Sequence, residues 1–271
     1  MDRAPRRTEG SNLKALLIAC ASCAALTAGT ASAQTMTFFG YHLSASLQAA
    51  SAPSWQGSKY YSVFPSGNIA LTKPWQFDDF YAQDDSASFA LVNTRIVQFG
   101  IAAAVIDNRG NNKGLQGMRN IGYAGEGGGF VNIWPTPWMR VRVEALKGLV
   151  SEDGLLINTG ADFVTHPGKF TLSAGPRFSW ADDHYMGTYF GVTPGEALAS
   201  PRFNAAYTAR GGPLSAGIEA GVEYKLLSRW RLTLHGDYDR LLDHAASSPI
   251  VRQGGTPDQA SVAAGLRFML N

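Results

Sequence analysis

Apolar and polar residues alternate strictly along residues 214–239, in two arms joined by a connection of a few residues. A period of two places the two sets of side chains on opposite faces of a strand, so this stretch predicts a hairpin with one apolar and one charged face. The polar positions of the two arms include Glu219, Glu223, Lys225, Arg231, His235, Asp237 and Asp239.

The same alternation recurs along most of the chain and predicts an all-β fold. Together with the two arms, residues 214–227 and 230–239, we expect twelve strands. The other ten cover residues 41–49, 60–64, 69–75, 86–93, 96–106, 123–133, 139–146, 155–164, 170–180 and 261–270.

The connections between these strands alternate between short turns and longer, more polar loops. The predicted tight turns are residues 65–68, 94–95, 135–137, 166–169 and 228–229. Short turns at one end and long loops at the other are typical of a transmembrane antiparallel β-barrel of the outer membrane. An even number of strands also places both termini at the short-turn end, which is the periplasmic one. The alternative is a soluble β-sandwich, which packs its apolar faces inward.

The amino-terminal segment predicts export. Arg3, Arg6, Arg7 and Lys14 precede the apolar residues 15–28, and residues 31–33 read Ala-Ser-Ala. This order is that of a cleaved signal peptide, so we expect residues 1–33 to be the signal and residues 34–271 the barrel domain. A lipidated Cys20 is the alternative, although few apolar residues precede it.

Removal of the signal changes the composition of what remains. Cys20 and Cys23 are the two cysteines of the chain, and both leave with it. Basic and acidic residues then become equal in number, which argues against nucleic acid as a partner. No apolar run after residue 33 is long enough for a transmembrane helix. These features fit a barrel in the outer membrane of a Gram-negative bacterium, with lipid as its surroundings.

In such a barrel the polar positions of the strands face the lumen. Those predicted to do so are Arg140, Arg142, Glu144, Arg177, Glu219, Glu223, Arg231 and Asp237, together with Asp162, Lys225, His235 and Asp239. Two interpretations stay open. Opposite charges on neighbouring strands stabilise the wall when they pair, whereas in a water-filled pore they set ion preference.

Catalytic and metal-binding patterns are weak. His42 and Ser44 share one strand face, and His184 follows Asp182 and Asp183, but spacing supplies no third member of a catalytic triad. The five histidines show no ligand spacing. We therefore expect no enzyme activity, no cofactor and no metal.

The carboxyl-terminal third carries motifs that resemble the MltA-interacting protein (MipA/OmpV) family. The motif residues are Gly175, Pro176, Arg177, Asp182, Asp183, Tyr185, Met186, Thr188, Tyr189, Phe190, Gly191, Val192, Arg240, Leu241, Ser248 and Pro249. The chain departs from the family's usual pattern at Ser247, where Asp is common, and in ending on Asn271 rather than an aromatic residue.

The resemblance implies an outer-membrane barrel that scaffolds a lytic murein transglycosylase and a peptidoglycan synthase, a penicillin-binding protein. A passive, porin-like channel for small solutes is the alternative. The motif at residues 182–192 lies outside any predicted strand. It either holds the long loop in place by packing Tyr185, Tyr189 and Phe190, or contacts a partner or solute.

Overall fold

The computed structural model describes residues 42–72, 80–106, 109–110 and 114–270. The predicted signal, with its cleavage site and Cys20, lies outside these residues. The strands are β1 (His42–Pro53), β2 (Tyr61–Thr72), β3 (Ala87–Asn93), β4 (Val97–Ile106), β5 (Ala124–Thr136), β6 (Met139–Val150), β7 (Leu155–Thr165), β8 (Phe170–Ala181), β9 (Gly212–Lys225), β10 (Trp230–Leu241) and β11 (Asp258–Leu270). The helices are α1 (Asp183–Phe190), α2 (Pro194–Ala199), α3 (Asp243–Ser247) and α4 (Pro249–Gly254).

The described strands form a closed barrel in which sequence neighbours pair. β11 pairs with β1, for example at Leu43 and Leu270, and so closes the ring. All neighbouring pairs are antiparallel except β2 and β3, which run parallel and share two residue pairs, Ala70 with Ser88 and Leu71 with Phe89. The predicted barrel class is therefore confirmed.

The expectation of twelve strands is wrong for the described residues, which form eleven. Residues 65–68, predicted as a turn, lie inside β2, which pairs with β1 from Pro53 and Tyr61 to His42 and Thr72. Pro65 is tolerated because the other side of β2 pairs with β3 only at Ala70 and Leu71 among the described residues, so its missing N–H costs no ladder bond there.

Glycine at position 67 fits the same strand for a steric reason. A Cβ atom at Gly67 would lie 2.5 Å from the carbonyl oxygen of Ser46 on β1. The Pro-Ser-Gly-Asn sequence, which is typical of a turn, here reflects an edge position and a close backbone approach.

The barrel has two unlike ends. The tight connections β3–β4, β5–β6, β7–β8 and β9–β10 lie at one end, together with the start of β1 and the end of β11. We call it the turn end, and the opposite one the loop end, where all four helices lie. Because β2 and β3 run parallel, eleven strands still bring the start of β1 and the end of β11 to the same end.

The outer surface of the barrel is apolar. Large exposed side chains include Leu47, Val63, Ile101, Val105, Ile218, Leu232, Leu234 and Val262. Near the turn end, aromatic rings pair on this surface with centroid distances of 6.1 Å for Trp138 and Phe163, 5.0 Å for Phe170 and Tyr224, and 5.0 Å for Trp230 and Phe268. An apolar band with an aromatic girdle is what a lipid-facing barrel presents. In the described part of the chain, the helices are too short or too polar to cross a bilayer.

Trp134, an aromatic residue near the turn end of β5, does not belong to this girdle. The alternation of β5 puts Trp134 on the lumenal face with Phe130 and Asn132, and all three are buried. Its ring meets that of Phe80 edge-on, with 6.2 Å between centroids. Trp134 therefore faces inward, where it packs against a chain segment that lies in the lumen.

Candidate functional site

A short segment of the chain occupies the lumen near the turn end. We call residues 80–86, which follow β2 and precede β3, the plug segment. Its side chains contact lumenal residues of β1, β6, β8, β9 and β11. Contacts on so many sides of the ring place the plug segment inside the barrel rather than on its rim.

Asp85 is the most tightly held residue of the plug segment. Its Oδ2 atom lies 2.5 Å from Nη1 of Arg140, and its Oδ1 atom accepts a 3.0 Å hydrogen bond from Nη2. Arg142 adds a contact of 3.3 Å from Nε to Oδ1. Arg140, only 2% exposed, also donates from Nε to Asp162 at 2.7 Å. Paired guanidinium–carboxylate contacts of this kind are the strong, directional ones.

Asp84 is held by a second arginine. Arg177 of β8 donates to the two carboxylate oxygens of Asp84 at 2.5 and 3.1 Å. Its Nη2 also reaches Asp162 at 2.7 Å and Glu219 at 3.2 Å. One guanidinium thus joins the plug segment to β7 and β9.

A third set of contacts fixes the start of the plug segment. Gln83 donates to Oε1 of Glu223 at 2.8 Å, and Arg267 of β11 donates to the same oxygen at 2.5 Å. The Arg267 guanidinium lies 5.1 Å from the ring centroid of Tyr81. Gln48 of β1 is hydrogen-bonded to Gln83.

The lumenal residues predicted from alternation lie as follows. Arg140, Arg142, Glu144, Glu219 and Glu223 are buried, and Arg177, Arg231 and Asp237 are partly buried. Arg142 contacts Glu144, and Arg231 approaches Glu223 at 3.9 Å. The alternation of the strands does not reveal Asp84 and Asp85 as their partners, and it assigns no role to Arg267. Residues 78–85 include four aspartates, but nothing in the local sequence places them inside the barrel.

Open space remains between the plug segment and the loop end. A cavity of about 200 Å³ is lined by Asp84, Arg177, Asn158, Ser179 and Asp239. A second cavity, of about 280 Å³, shares Asn158, Ser179 and Asp239 with it and extends to Trp55 and Gln56 near the loop end. A third cavity, of about 450 Å³, lies beside the plug segment and is lined by Gln48, Asn68, Gln83 and Ser86. The plug segment therefore occupies the lumen near the turn end without filling it completely.

The motif at residues 182–192 forms helix α1 at the loop end. Asp182 caps it, because its Oδ1 accepts from the backbone N–H of Tyr185 at 2.9 Å. The buried side chains are those of Tyr185, Met186, Tyr189 and Phe190. They form an apolar cluster with residues at the loop ends of five strands, Ile106, Leu156, Ala181, Leu214 and Leu241. The motif thus folds across the mouth of the barrel.

Ser248 joins the second loop to α1. It is fully buried, donates from Oγ to the carbonyl oxygen of Phe190 at 2.6 Å, and accepts from the N–H of Ile250 at 3.2 Å. Pro249 follows as the first residue of α4, where a missing N–H costs nothing. Val251 of the same helix lies against Gly57, which has a φ of +100°. A Cβ atom at Gly57 would lie 2.7 Å from Cγ2 of Val251, so only glycine fits there without a shift.

Polar contacts complete this cap, by which we mean α1–α4 and the residues packed on them. Thr193 and Glu196 form a capping box at the start of α2. Burial acts to raise the pKa of the Glu196 carboxyl, but hydrogen bonds from the backbone of Thr193 and Arg119 outweigh it and lower this pKa. Arg109 donates to the carbonyl oxygen of Tyr189 at 2.6 Å, and its burial lowers its pKa to about 10.

The other motif residues have local roles. A Cβ atom at Gly175 would lie 1.6 Å from the carbonyl oxygen of Ala161, so β7 and β8 approach too closely there for any side chain. Pro176 lies beside it on the outer face of β8. Asp183 accepts from the N–H of Gly211 at 2.5 Å, and the carbonyl oxygen of Thr188 accepts from Arg119 at 3.1 Å.

Four remaining motif positions frame the two long loops. Gly191 ends α1, and Val192 bridges to Tyr207. Arg240 is exposed and contacts Asp258 at 2.5 Å, whereas Leu241 belongs to the apolar cluster under the cap.

The weak catalytic pattern is not assembled in the described residues. His184 is exposed, and its Nδ1 lies 3.2 Å from Oδ1 of Asp153. The side chain of His42 lies outside the described part, so the pairing of His42 with Ser44 stays a prediction. Among the described residues, no three His, Cys, Asp or Glu side chains cluster as metal ligands.

The fold and lumen define a class of protein: a closed β-barrel with an apolar outside, a charged and partly filled lumen, and a helical cap. A family model for the MltA-interacting protein MipA matches residues 45–270. The chain belongs to this family, as its motifs predict. No curated protein matches the chain by sequence.

Similar solved structures include several barrels. The NanC porin is 7% identical, covers 84% of this chain and 98% of its own, and has a TM-score of 0.40. The outer membrane protease OmpT from Escherichia coli is 12% identical with a TM-score of 0.33, over 88% and 100% of the two chains. Neisserial surface protein A is 10% identical with a TM-score of 0.27, over 84% and 96%. TM-scores this low carry no functional argument.

A substitution at Ser248 tests whether this residue stabilises the cap. The substitution Ser248→Ala leaves the carbonyl oxygen of Phe190 without this donor and removes the cap of α4, which should cost about 1–3 kcal/mol of local stability. Hydrogen exchange of residues 183–190 and 249–254 should accelerate, while exchange in β5–β8 stays unchanged. Ser228→Ala, in an exposed turn at the opposite end, is the matched control. Unchanged exchange in the Ser248→Ala cap would contradict the assigned role.

Proposed function

We propose that this protein is an outer-membrane anchor whose lumen is closed and whose surfaces hold cell-wall enzymes. The apolar outer face supports a place in the bilayer. The turn end, with the start of β1 and the end of β11, would face the periplasm, and the cap would face outward. The proposal of a closed lumen is supported by the plug segment, whose Asp84 and Asp85 contact Arg140, Arg142 and Arg177.

The ion pairs favour a plug segment that stays in the lumen over one that readily moves out of it. Removing one member of a buried ion pair typically costs about 3–5 kcal/mol, because the other charge stays buried and unpaired. Withdrawal of the plug segment would leave the buried Arg140 and Arg142 without their contacts to Asp85. The pair of Arg177 with Asp84 is more exposed and contributes less. A passive channel would have to open against that cost.

Conductance in a planar bilayer tests the closed lumen. The full chain without its predicted signal, refolded and checked by heat-modifiable mobility, should stay silent. The double substitution Asp84→Asn and Asp85→Asn weakens the contacts to Arg140 and Arg177 and should give intermittent current steps. Asp153→Asn, at an exposed loop, is the control and should stay silent.

Steady, ion-selective steps from the unaltered protein would contradict the closed lumen and favour the channel alternative. In that case the substitutions Glu219→Gln and Glu223→Gln should shift the ion selectivity, because both carboxylates face the lumen.

The enzyme partner follows from the family, which is named for interaction with MltA. We propose a lytic transglycosylase as the direct partner and a penicillin-binding protein as a further member of the assembly. The turn end would provide the contact. Leu226 and Leu227 are apolar, exposed and placed in the β9–β10 turn beyond the strands, where an apolar partner surface could cover them.

Binding of a purified MltA-type transglycosylase to the micelle-embedded barrel tests this contact. The double substitution Leu226→Ser and Leu227→Ser should weaken binding about tenfold or more, since buried leucines contribute on the order of 1.5–3 kcal/mol each. Leu198→Ser, which changes a fully exposed leucine of the cap, should leave binding unchanged. An equal loss of binding in the double substitution and in Leu198→Ser, or no binding by the unaltered barrel, would contradict the proposal.

A further inference from the structure

A cavity of about 150 Å³ lies at the loop end, where the last residues of β1 and β4 meet helix α1 of the cap. We call it the rim cavity. Its polar wall is formed by Trp55, Arg109 and Tyr189, and its apolar wall includes Pro53, Phe64 and Ile106. It is separate from the ion pairs of the plug segment, since it shares no residue with them.

Arg109 is the charged residue of this wall, and it is only 4% exposed. Its Nη1 atom donates to the carbonyl oxygen of Tyr189 at 2.6 Å. Its Nε and Nη2 atoms have no hydrogen-bond partner among the described residues. These two atoms form the edge of a guanidinium that pairs with both oxygens of a carboxylate. Arg109 therefore has a complete anion-binding edge that the described protein leaves unused.

Two aromatic residues of the same wall add further unused donors. Tyr189 is 5% exposed, and its hydroxyl has no partner within the described part of the chain. The same is true of Nε1 of Trp55, which is 9% exposed. Buried tyrosine and tryptophan normally find a partner for these groups, and an indole N–H can only donate. Unpartnered buried donors are costly, so this group around one cavity calls for an acceptor.

The other polar side chains of the wall do not supply that acceptor. The hydroxyl oxygens of Ser54 and Ser62 lie 2.7 Å apart and are hydrogen-bonded to each other. The side-chain amide of Gln56 is hydrogen-bonded to the hydroxyl of Tyr185. Among the described residues, no aspartate or glutamate lines the rim cavity. The cavity thus joins a buried positive charge and several donors to an apolar wall.

We propose that the rim cavity binds a small monocarboxylate with an apolar tail. The two carboxylate oxygens offer acceptors for Nε and Nη2 of Arg109 and for the hydroxyl of Tyr189 and Nε1 of Trp55. The negative charge also offsets the burial of the guanidinium, which lowers the pKa of Arg109. Inorganic phosphate fits less well, because it would place charged oxygens against the apolar part of the wall.

The volume of the rim cavity limits the length of the tail. A cavity of about 150 Å³ holds a molecule the size of benzene, which corresponds to about six non-hydrogen atoms. Butyrate has this size, with a carboxylate at one end and three further carbons. Because the cavity lies at the loop end, binding does not require the plug segment to move.

Saturation-transfer NMR tests this site, with butyrate as the probe. The protein is the full chain without its predicted signal, refolded in deuterated detergent micelles. Butyrate should bind, and butyramide, an uncharged molecule of the same shape, should bind about tenfold more weakly, because hydrogen bonds between two charged groups are the stronger ones. An equal concentration of inorganic phosphate should displace little of the bound butyrate.

Substitutions in the wall locate the bound carboxylate. Tyr189→Phe removes only the unpartnered hydroxyl and should weaken butyrate binding about tenfold, as expected for the loss of one hydrogen bond to a charged group. Arg109→Lys keeps the charge but removes the paired N–H edge, and it should weaken binding about tenfold or more. Tyr207→Phe, the same change at a tyrosine that packs on the cap outside the rim cavity, is the matched control and should bind like the unaltered protein.

The comparison of butyrate with butyramide on the unaltered protein decides even if a variant misfolds. Absence of butyrate binding, equal binding of butyramide, or displacement of most of the butyrate by phosphate would overturn the proposal. So would a loss of binding in Tyr207→Phe as large as that in Tyr189→Phe, since it would place the carboxylate outside the rim cavity.

Discussion

A buried guanidinium must be neutralised where it lies, and in this barrel that requirement fixes a segment of the chain inside the lumen. Arg140 is almost fully buried and bridges Asp85 of the plug segment and Asp162 of the wall. Arg177 does the same for Asp84, Asp162 and Glu219. Charges that would be costly to bury alone become tolerable as a connected network.

The strand arrangement follows from this placement. Because residues 80–86 lie in the lumen after β2, β3 begins parallel to β2 instead of returning as a hairpin partner. The ring then closes with eleven described strands, and the start of β1 and the end of β11 still meet at the turn end. The network thus explains both the occupied lumen and the departure from a simple up-and-down barrel.

The cap is organised by a different force, the burial of apolar rings at the loop end. Tyr185, Met186, Tyr189 and Phe190 cover strand ends that would otherwise open to water. These residues are the family motif, so packing accounts for most of it. The two ends of the lumen therefore differ in kind, with ion pairs near the turn end and an apolar lid at the loop end.

Alternation predicted the barrel well, because a period of two is a local property. Residues 230–239 were expected as a strand, and β10 spans Trp230–Leu241. The prediction of a turn at residues 65–68 was wrong. Whether a strand tolerates Pro65 depends on which side of β2 is paired, and that is not a local property of the sequence. Helix α1 was missed, although the spacing of Tyr185, Met186, Tyr189 and Phe190 is helical. The position of Asp84 and Asp85 could not be predicted, since it depends on arginines more than fifty residues away.

The position of the plug segment inside the barrel is the claim on which the account rests. Outside the predicted signal the chain has no cysteine, so pairs introduced by substitution can be cross-linked selectively with a short bifunctional thiol reagent. Gln83→Cys should link to Gln48→Cys, whose native side chains are in contact inside the lumen. It should not link to Leu47→Cys, one position away on the outer face. Efficient linkage of the first pair alone is the predicted result, and linkage of neither pair, or of both equally, would contradict the account.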